Sequence, residues 1–452
     1  MAPKVITRYE CQSCGASYLK WLGQCEKCDN WNTLVEIREE KTASRKHHVK
    51  KAIKSEKLQE VQQEDISFYP TRMRELDTVL GQGLVKGSVV LLGGEPGVGK
   101  STLSLQIAQQ CATLQHKVLY VSAEESASQI KIRAERLGLL PELVWVYSQT
   151  NMLSIIKECE VIDPDIIILD SIQVVFHPEL TAIEGTVSQV RQCASTLINW
   201  IKENNKSAIM IGHITKEGQI AGPKTLEHLV DVILYLEGDR HHQHRILRCQ
   251  KNRYGSTDNI GMFEMKKVGL LPLEDPSQCF RQDKDNAMSG SAITPYSEGG
   301  RILLVEVQAL AVESGYGMAK RNFVGVSPHR ANVLIAALDK LVKLRLAAHD
   351  IFVSLIGGLR VTDPSIDCAI IVAIVSSLKQ VPIDDRWGIC GEVGLTGEVR
   401  PIPHCEKRVK ELKKHGFKAC IVPKKNKSPQ LEKENFEIHY VSHIIEVMRL
   451  LF

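Results

Sequence analysis

The sequence predicts an α/β protein built on a doubly wound parallel sheet, with a small metal-binding module before it and a second α/β domain after it. Between residues 66 and 275, short aliphatic runs alternate with amphipathic stretches, and continuous aliphatic runs are typical of strands buried on both faces. A glycine-rich turn joins the first such run to a helix, and four cysteines form two close pairs near the amino terminus. These observations predict the fold class and the order of its parts.

The composition is that of an ordinary globular protein. The chain has 452 residues, of which 43% are hydrophobic, enough for two or three domains. The net charge of +4 is too small to indicate a nucleic-acid partner, so any such signal must come from local clusters. Because the sequence has neither a signal-peptide pattern nor a bilayer-spanning apolar run, we expect a cytoplasmic protein without membrane contact.

Residues 1–37 carry the spacing of a zinc ribbon, with paired thiols at Cys11, Cys14, Cys25 and Cys28. Four thiolates close a tetrahedron around Zn²⁺ and leave no open position, which predicts a structural metal. A module of this size cannot build a sufficient core without such support. The aromatic and basic residues around the cysteines suit either stacking on single-stranded nucleic acid or packing around the metal.

A charged stretch at 38–65 reads as a basic linker, and the central α/β domain follows at 66–275. The predicted strands of this domain are 88–93, 118–122, 166–170, 208–212 and 232–236, and the predicted helices are 101–114, 126–137 and 189–204. Buried strands alternating with helices predict βαβ units in a doubly wound sheet.

The glycine-rich turn has the P-loop pattern GxxxxGK[ST] between a buried strand and a helix. The predicted nucleotide-binding residues are Gly94, Glu95, Pro96, Gly97, Val98, Gly99, Lys100, Ser101 and Thr102. Backbone N–H groups of such a loop surround phosphate oxygens, the lysine reaches the β- and γ-phosphates, and the serine hydroxyl binds Mg²⁺. This pattern predicts an ATP site.

Two acidic positions complete the predicted hydrolytic site. Asp170 ends an aliphatic strand in the manner of a Walker B element and is expected to orient Mg²⁺. Glu124 and Glu125 follow the strand after the P-loop helix, where a carboxylate can activate water. Their order resembles the RecA and DnaB-helicase core, and by that resemblance Glu124 is the base, with Glu125 as its competitor.

By the same resemblance, a polar residue ending the next strand senses the γ-phosphate, and His213 occupies this place. A core or capping histidine is the alternative. The glycine-rich segment at 217–225 is then the expected DNA-contacting loop of a central channel.

The string KNRYG at 251–255 is similar to the KNRFG motif of the bacterial RadA/Sms family. Lys251 and Arg253 on one strand face could enter the ATP site of a neighbouring subunit as a finger that neutralises transition-state charge. This role requires an oligomer. An exposed basic turn is the simpler interpretation.

After a linker at 276–290, residues 291–452 resemble the Lon protease domain. Ser365 stands at the position of the Lon nucleophile, but Glu406 stands where the lysine of the dyad is expected, with Lys407 one place away. A one-residue shift on a helix turns a side chain by about 100°, so the domain is predicted to be a non-proteolytic scaffold. The segment 404–427 holds nine Lys or Arg residues against two Glu, which suits either phosphate binding or a solvated helix face.

The RadA/Sms resemblance covers nearly the whole chain and implies a DNA-dependent, helicase-like ATPase with a RecA-like core. Its implied task is branch migration of strand exchange begun by a RecA-type recombinase, on single-stranded and branched DNA, as a homo-oligomeric and hexameric ring. An ATP-switched DNA-binding scaffold without translocation is the first alternative, and an ATP-dependent protease is the second.

Overall fold

The computed structural model describes residues 5–11, 16–40, 67–139, 141–213, 224–238, 244–280, 288–315 and 319–452. The chain divides into two compact units, Met1–Pro272 and Leu273–Phe452. This division falls three residues before the end of the predicted central domain.

The described strands of the first unit are β1 (Val5–Cys11), β2 (Ser17–Tyr18), β3 (Leu34–Glu40), β4 (Phe68–Tyr69), β5 (Leu84–Val85), β6 (Val89–Gly94), β7 (Val118–Ser122), β8 (Val144–Ser148), β9 (Ile166–Asp170), β10 (Ser207–His213), β11 (Val232–Glu237), β12 (His244–Asn252), β13 (Ile260–Lys266) and β14 (Gly269–Pro272). The helices are α1 (Arg74–Leu80), α2 (Lys100–Thr113), α3 (Ala127–Arg136), α4 (Met152–Ile162), α5 (Val187–Glu203) and α6 (Lys224–Glu227).

The central sheet has nine strands in the order β14-β13-β12-β11-β6-β10-β9-β7-β8. The strands from β11 to β8 are parallel. One apolar core lies on each face of this sheet, so its inner strands have no polar face. The predicted doubly wound parallel sheet is thereby confirmed, and β9 has the predicted bounds.

The sequence prediction missed several elements of this domain, and two of them precede the strand that ends at Asp170. Strand β8 and helix α4 lie between the predicted helix at 126–137 and the predicted strand at 166–170. A five-residue apolar run cannot be assigned from periodicity alone. Strand β8 also ends the sheet, and Trp145 and Val146 on it are exposed, so it lacks the burial on both faces that marks the inner strands.

An antiparallel extension widens the sheet beyond β11. Strands β12, β13 and β14 pair successively, and the last of them lies beside helix α2. Gln106 of α2 fixes this contact, since its amide accepts from the Leu270 N–H at 2.9 Å and donates to the Leu270 carbonyl at 3.1 Å. The helix that follows the P-loop is thus packed against the extension.

The amino-terminal strands form a separate three-stranded antiparallel sheet in the order β2-β1-β3. Its small core contains Cys11, Cys25 and Leu34, with Cys28 packed against them. Two of the predicted metal ligands therefore form the center of this sheet's core.

The strands of the second unit are β15 (Ser291–Glu298), β16 (Arg301–Glu313), β17 (Arg321–Val324), β18 (His349–Leu355), β19 (Trp387–Ile389), β20 (Glu392–Val393), β21 (Val399–Arg400), β22 (Ala419–Pro423) and β23 (Glu437–Val441). Its helices are α7 (Pro328–Val342), α8 (Asp367–Lys379), α9 (Cys405–Lys414), α10 (Pro429–Glu432) and α11 (Ile444–Leu451). A mixed seven-stranded sheet runs in the order β17-β18-β16-β15-β19-β22-β23, and the buried helix α8 packs on β15 and β16.

Among the described helices, none has the length and apolar character needed to cross a membrane.

Candidate nucleotide site and associated centres

The P-loop has the backbone that its glycines permit. Gly97 and Gly99 have φ values of +79° and +117°, in the left-handed region where other residues are strained. The loop leaves the buried strand β6 at Gly94 and enters α2 at Lys100. The predicted phosphate-binding residues therefore run from the end of β6 through this loop into the first turn of α2, at a helix amino terminus.

Lys100 is buried, with 4% of its surface exposed. Its Nζ donates to the carbonyls of Gly94 at 2.7 Å and Glu95 at 2.9 Å. Burial lowers the pKa of Lys100 to about 8, and the charges of Asp170 and Glu124 oppose this shift. The ammonium group therefore lies within the electrostatic reach of both predicted carboxylates.

Asp170 lies at the carboxyl end of β9 and is buried. Tyr120, a fully buried residue of β7, donates from its hydroxyl to Oδ2 of Asp170 at 2.8 Å. No sequence signal distinguishes this tyrosine, because an aromatic residue in an aliphatic strand has the pattern of an ordinary core residue. The hydroxyl orients one oxygen of the predicted Mg²⁺ ligand.

The structure separates the two candidate bases. Glu124 is exposed, and its Oε1 accepts a hydrogen bond of 2.5 Å from the hydroxyl of Ser171. Ser171 is the residue that follows Asp170 in the sequence. Glu125 pairs with Arg133 of helix α3. The carboxylate of Glu124 is therefore hydrogen-bonded beside the Walker B aspartate, whereas the carboxylate of Glu125 forms an ion pair with helix α3.

The end of β10 lies at the same edge of the sheet. In the parallel pairing of β10 with β6, His213 is opposite Gly94. The backbone of His213 is therefore beside the P-loop, whereas its side chain and most of the predicted channel loop at 217–225 lie outside the described residues.

Lys251 and Arg253 lie at the opposite end of the sheet. Arg253 donates through Nη1 to Oδ1 of Asp231 at 3.0 Å, and the other oxygen of Asp231 accepts from the N–H of Val89 at 3.1 Å. Val89 begins the strand that Gly94 ends, and five steps along a strand span about 17 Å. Within one chain, the two cations and the P-loop are not brought together.

The two cations differ in their surroundings. The ammonium of Lys251 donates to the carbonyls of Glu227 and Val230, each at 2.7 Å, and burial lowers its pKa. The side chain of Arg253 remains 51% exposed. Arg253 is consequently the better placed of the two to meet another molecule.

The amino-terminal sheet brings three thiols together. The sulfur atoms of Cys11, Cys25 and Cys28 lie within 4.8 Å of one another. The Sγ atoms of Cys11 and Cys28 are 3.6 Å apart, close to the roughly 3.8 Å that tetrahedral Zn–S bonds of about 2.3 Å require. The fourth predicted ligand, Cys14, lies outside the described residues. The donor set fits zinc.

In the second unit, Ser365 is fully buried and its hydroxyl donates to Oδ2 of Asp363 at 2.7 Å. The cation beside this pair is Arg408, which donates to the same oxygen at 3.0 Å. Glu406 accepts instead from the Ser428 hydroxyl at 2.9 Å, and Lys407 is exposed. An arginine keeps its proton in proteins and cannot act as the base of a serine–lysine dyad.

The prediction for the basic segment at 404–427 needs one correction. Arg408 is one of its nine cations, but it does not lie on the surface. Its side chain is fully buried because helix α9 turns it toward the Pro295 carbonyl and Asp363. The exposed cations of the segment include Lys407 and Lys410 on α9, and Lys424 and Lys425 on the following 3₁₀ turn.

Three family models match successive parts of the chain. A rubredoxin metal binding domain model matches residues 9–36, the ATPase KaiC model matches residues 69–157, and the Lon protease C-terminal proteolytic domain model matches residues 272–452. The matches follow the order of the zinc ribbon, the ATPase and the Lon-like domain.

Curated relatives match the chain as a whole. A protein of Listeria monocytogenes is 42% identical over 94% of this chain and 93% of its own length. Those of Bacillus subtilis and Streptococcus pyogenes are 40% and 41% identical, over at least 98% of both chains in each pair. Each of the three is named DNA repair protein RadA. With such identity over nearly its full length, the chain belongs to the RadA family of DNA repair proteins and combines an ATPase domain with a zinc ribbon and a Lon-type domain.

Proposed function

We propose that the protein is a DNA-dependent ATPase that moves along single-stranded and branched DNA during repair. In this proposal it extends heteroduplex begun by a RecA-type recombinase, by branch migration in the cytoplasm. The observation that carries the proposal is the arrangement of the ATPase sheet. The carboxyl ends of the parallel strands lie near Lys100, Asp170 and Glu124. The opposite ends of these strands lie near Lys251 and Arg253.

In the proposed hydrolytic site, the P-loop binds the phosphates of ATP and Lys100 neutralises the β- and γ-phosphates. Ser101 and Asp170 would hold Mg²⁺, which neutralises charge that develops on the phosphate oxygens. Glu124 accepts a proton from the attacking water, and Ser171 holds its carboxylate in place. The contacts of Lys100 and Glu124 support this assignment.

The cations at the far edge act in trans. A ring places the P-loop edge of one subunit against the opposite edge of the next, so that Arg253 can stabilise the transferred phosphoryl group across the seam. Lys251 would first have to leave the carbonyls of Glu227 and Val230. We therefore assign the main role to Arg253, in a ring that we propose, by family resemblance, to be hexameric.

DNA contacts follow from the same arrangement. His213 ends the strand beside the P-loop strand, so it can report the state of the γ-phosphate to the channel loop at 217–225.

The exposed lysines of the Lon-like domain supply a second, sequence-independent contact with DNA. Asn426 anchors their 3₁₀ turn beside α9, with hydrogen bonds of 2.9 and 2.8 Å to the backbone of Ile402.

The Lon-like domain is a scaffold in this proposal, without peptidase activity. The burial of Ser365 and its bond to Asp363 support that assignment. Similarity to the Lon proteolytic domain would by itself also suit an ATP-dependent protease. Casein degradation that disappears in Ser365→Ala would therefore contradict the scaffold role.

The deciding experiment measures ATP turnover with and without single-stranded and forked DNA, together with the native mass. We expect an oligomer whose turnover rises with DNA, and loss of turnover in Lys100→Ala. An ATP-switched scaffold would bind DNA without this stimulation. A chain that stays monomeric, with turnover indifferent to DNA, would overturn the proposal.

A further inference from the structure

Strand β12 reaches the P-loop through a buried arginine. The Nε–H of Arg245 donates to the carbonyl of Val98 at 3.0 Å, and its Nη1 donates to the carbonyl of His244 at 2.8 Å. Arg245 is 9% exposed and Val98 is 5% exposed. A residue 147 positions later in the chain thus holds the middle of the phosphate-binding loop.

The position would ordinarily hold a hydrophobic residue. Arg245 lies on the same face of β12 as Leu247 and Cys249, and both of these belong to the core beneath the P-loop helix. Burying a guanidinium there costs free energy unless it is hydrogen-bonded. The bond to Val98 is part of what compensates that cost, so the arginine has a specific partner in the loop.

The strand that carries this contact is built into the sheet. Strand β12 pairs with β13 from His244 onward and with β11 from Ile246 onward. Lys251 near its far end is fixed on the carbonyls of Glu227 and Val230. A side chain carried by a strand in the middle of a sheet is held more firmly than one on a loop.

The Val98 carbonyl shares a peptide unit with the N–H of Gly99. In a trans peptide these two groups point in opposite directions, so a bond that fixes the carbonyl also fixes the direction of the N–H. The Gly99 N–H belongs to the loop whose N–H groups surround phosphate oxygens. Through the Val98 carbonyl, Arg245 therefore fixes the direction of the Gly99 N–H in the phosphate-binding loop.

We propose that Arg245 is a positioning residue of the nucleotide site, which orients the Gly99 N–H through the Val98 carbonyl. The inference rests on the proposed nucleotide site. Because the loop holds phosphates that ADP and ATP share, loss of the contact weakens the binding of both nucleotides. The chemical step, which depends on Glu124 and Asp170, is left nearly unchanged.

Two variants test the contact in the full-length protein. Arg245→Gln removes the charged donor. Gly238→Ala alters no charge, but its added Cβ would lie 2.3 Å from Cδ and 2.8 Å from Nε of Arg245 and so displaces the guanidinium from Val98. Arg248→Gln is the matched control, because Arg248 lies on the same strand and pairs with Glu237 at 2.7 Å.

Fluorescent ADP and ATP analogues give the dissociation constants, and steady-state turnover gives KM and kcat. For Arg245→Gln and Gly238→Ala we expect both dissociation constants and KM to rise about tenfold, equivalent to about 1.4 kcal/mol, with kcat within about twofold of the control. If Arg245→Gln does not fold, Gly238→Ala alone decides.

The inference is overturned if both variants bind nucleotide as the control does, or if only their melting temperature changes. It is also overturned if kcat falls while binding is unchanged. Lys100→Ala separates this result from the proposed function. If Lys100→Ala still hydrolyses ATP, the proposed nucleotide site itself is wrong. If Lys100→Ala is inactive while Arg245→Gln and Gly238→Ala bind nucleotide normally, only the role of Arg245 is wrong.

Discussion

The hydroxyl of Ser171 donates a hydrogen bond of 2.5 Å to the carboxylate of Glu124. This contact joins the ends of two adjacent strands, β9 and β7, beside the buried Asp170. It distinguishes two consecutive glutamates that the sequence alone left in competition, since the carboxylate of Glu125 pairs with Arg133 instead.

Glu124→Gln should therefore abolish most of the turnover and leave nucleotide binding intact. An amide keeps the shape of the side chain but cannot take a proton from water, and loss of a general base costs about 10²–10⁴-fold in kcat. Glu125→Gln is the matched control, and we expect its kcat to stay within about threefold of the wild type, because only a partly exposed ion pair is weakened. The reverse ranking of the two variants would transfer the role to Glu125.

The lowered pKa of Lys100 predicts that nucleotide binding depends on pH. Below about pH 8 the ammonium is already charged in the free site, whereas above it the lysine must gain a proton when an anionic phosphate binds. ATP affinity should therefore fall as the pH rises above about 8, by up to about tenfold per pH unit. Titration calorimetry at pH 9 in buffers of different ionisation enthalpy should detect proton uptake.

Lys100→Arg is the control for that experiment, since a guanidinium stays charged across the whole range. It should bind nucleotide without the proton uptake of the wild type. Equal affinity of the wild type at pH 7 and pH 9, with no proton uptake, would show that the free lysine is charged throughout.

Tyr120→Phe removes one hydroxyl from the core and leaves the ring in place. The lost bond orients Asp170, and a hydrogen bond to a charged group contributes about 1.5–3 kcal/mol. We expect the Mg²⁺ concentration for half-maximal turnover to rise about tenfold, with metal-free nucleotide binding unchanged. A variant whose Mg²⁺ dependence matches the wild type would leave the tyrosine a packing role only.

A mixing experiment tests the seam between subunits. Arg253→Ala keeps an intact P-loop, and Lys100→Ala keeps an intact arginine, so a mixed oligomer contains some seams with both parts. We expect the mixture to hydrolyse ATP several-fold faster than the sum of the two variants measured alone. Arg248→Ala, which removes an arginine from strand β12 just before Arg253, should be active without the second variant. Mixed oligomers without any gain in turnover would argue that Arg253 acts elsewhere.

Cys28→Ser should release zinc and unfold the small amino-terminal sheet, because its core consists largely of the ligands themselves. Zinc content by atomic absorption and the melting of this module report the change. Nucleotide affinity should stay within about twofold of the wild type, since the P-loop is built by other strands. Retention of a full equivalent of zinc would contradict the assignment of Cys28 as a ligand.

The sequence by itself determined the features whose residues lie close together in the chain. The P-loop, the paired cysteines and the aliphatic run ending at Asp170 are local patterns, and each has one backbone context that suits it. The resemblance that runs through these motifs and KNRYG led to the RadA family.

Only the tertiary structure decided which side chains meet across long stretches of chain. Ser171 meets Glu124 over 47 positions, Tyr120 meets Asp170 over 50, and Arg245 meets Val98 over 147. It also placed Arg408 in a buried ion pair with Asp363 rather than on a basic surface. Such contacts depend on strand order and register, which bring distant residues to one sheet edge, and no local pattern encodes that order.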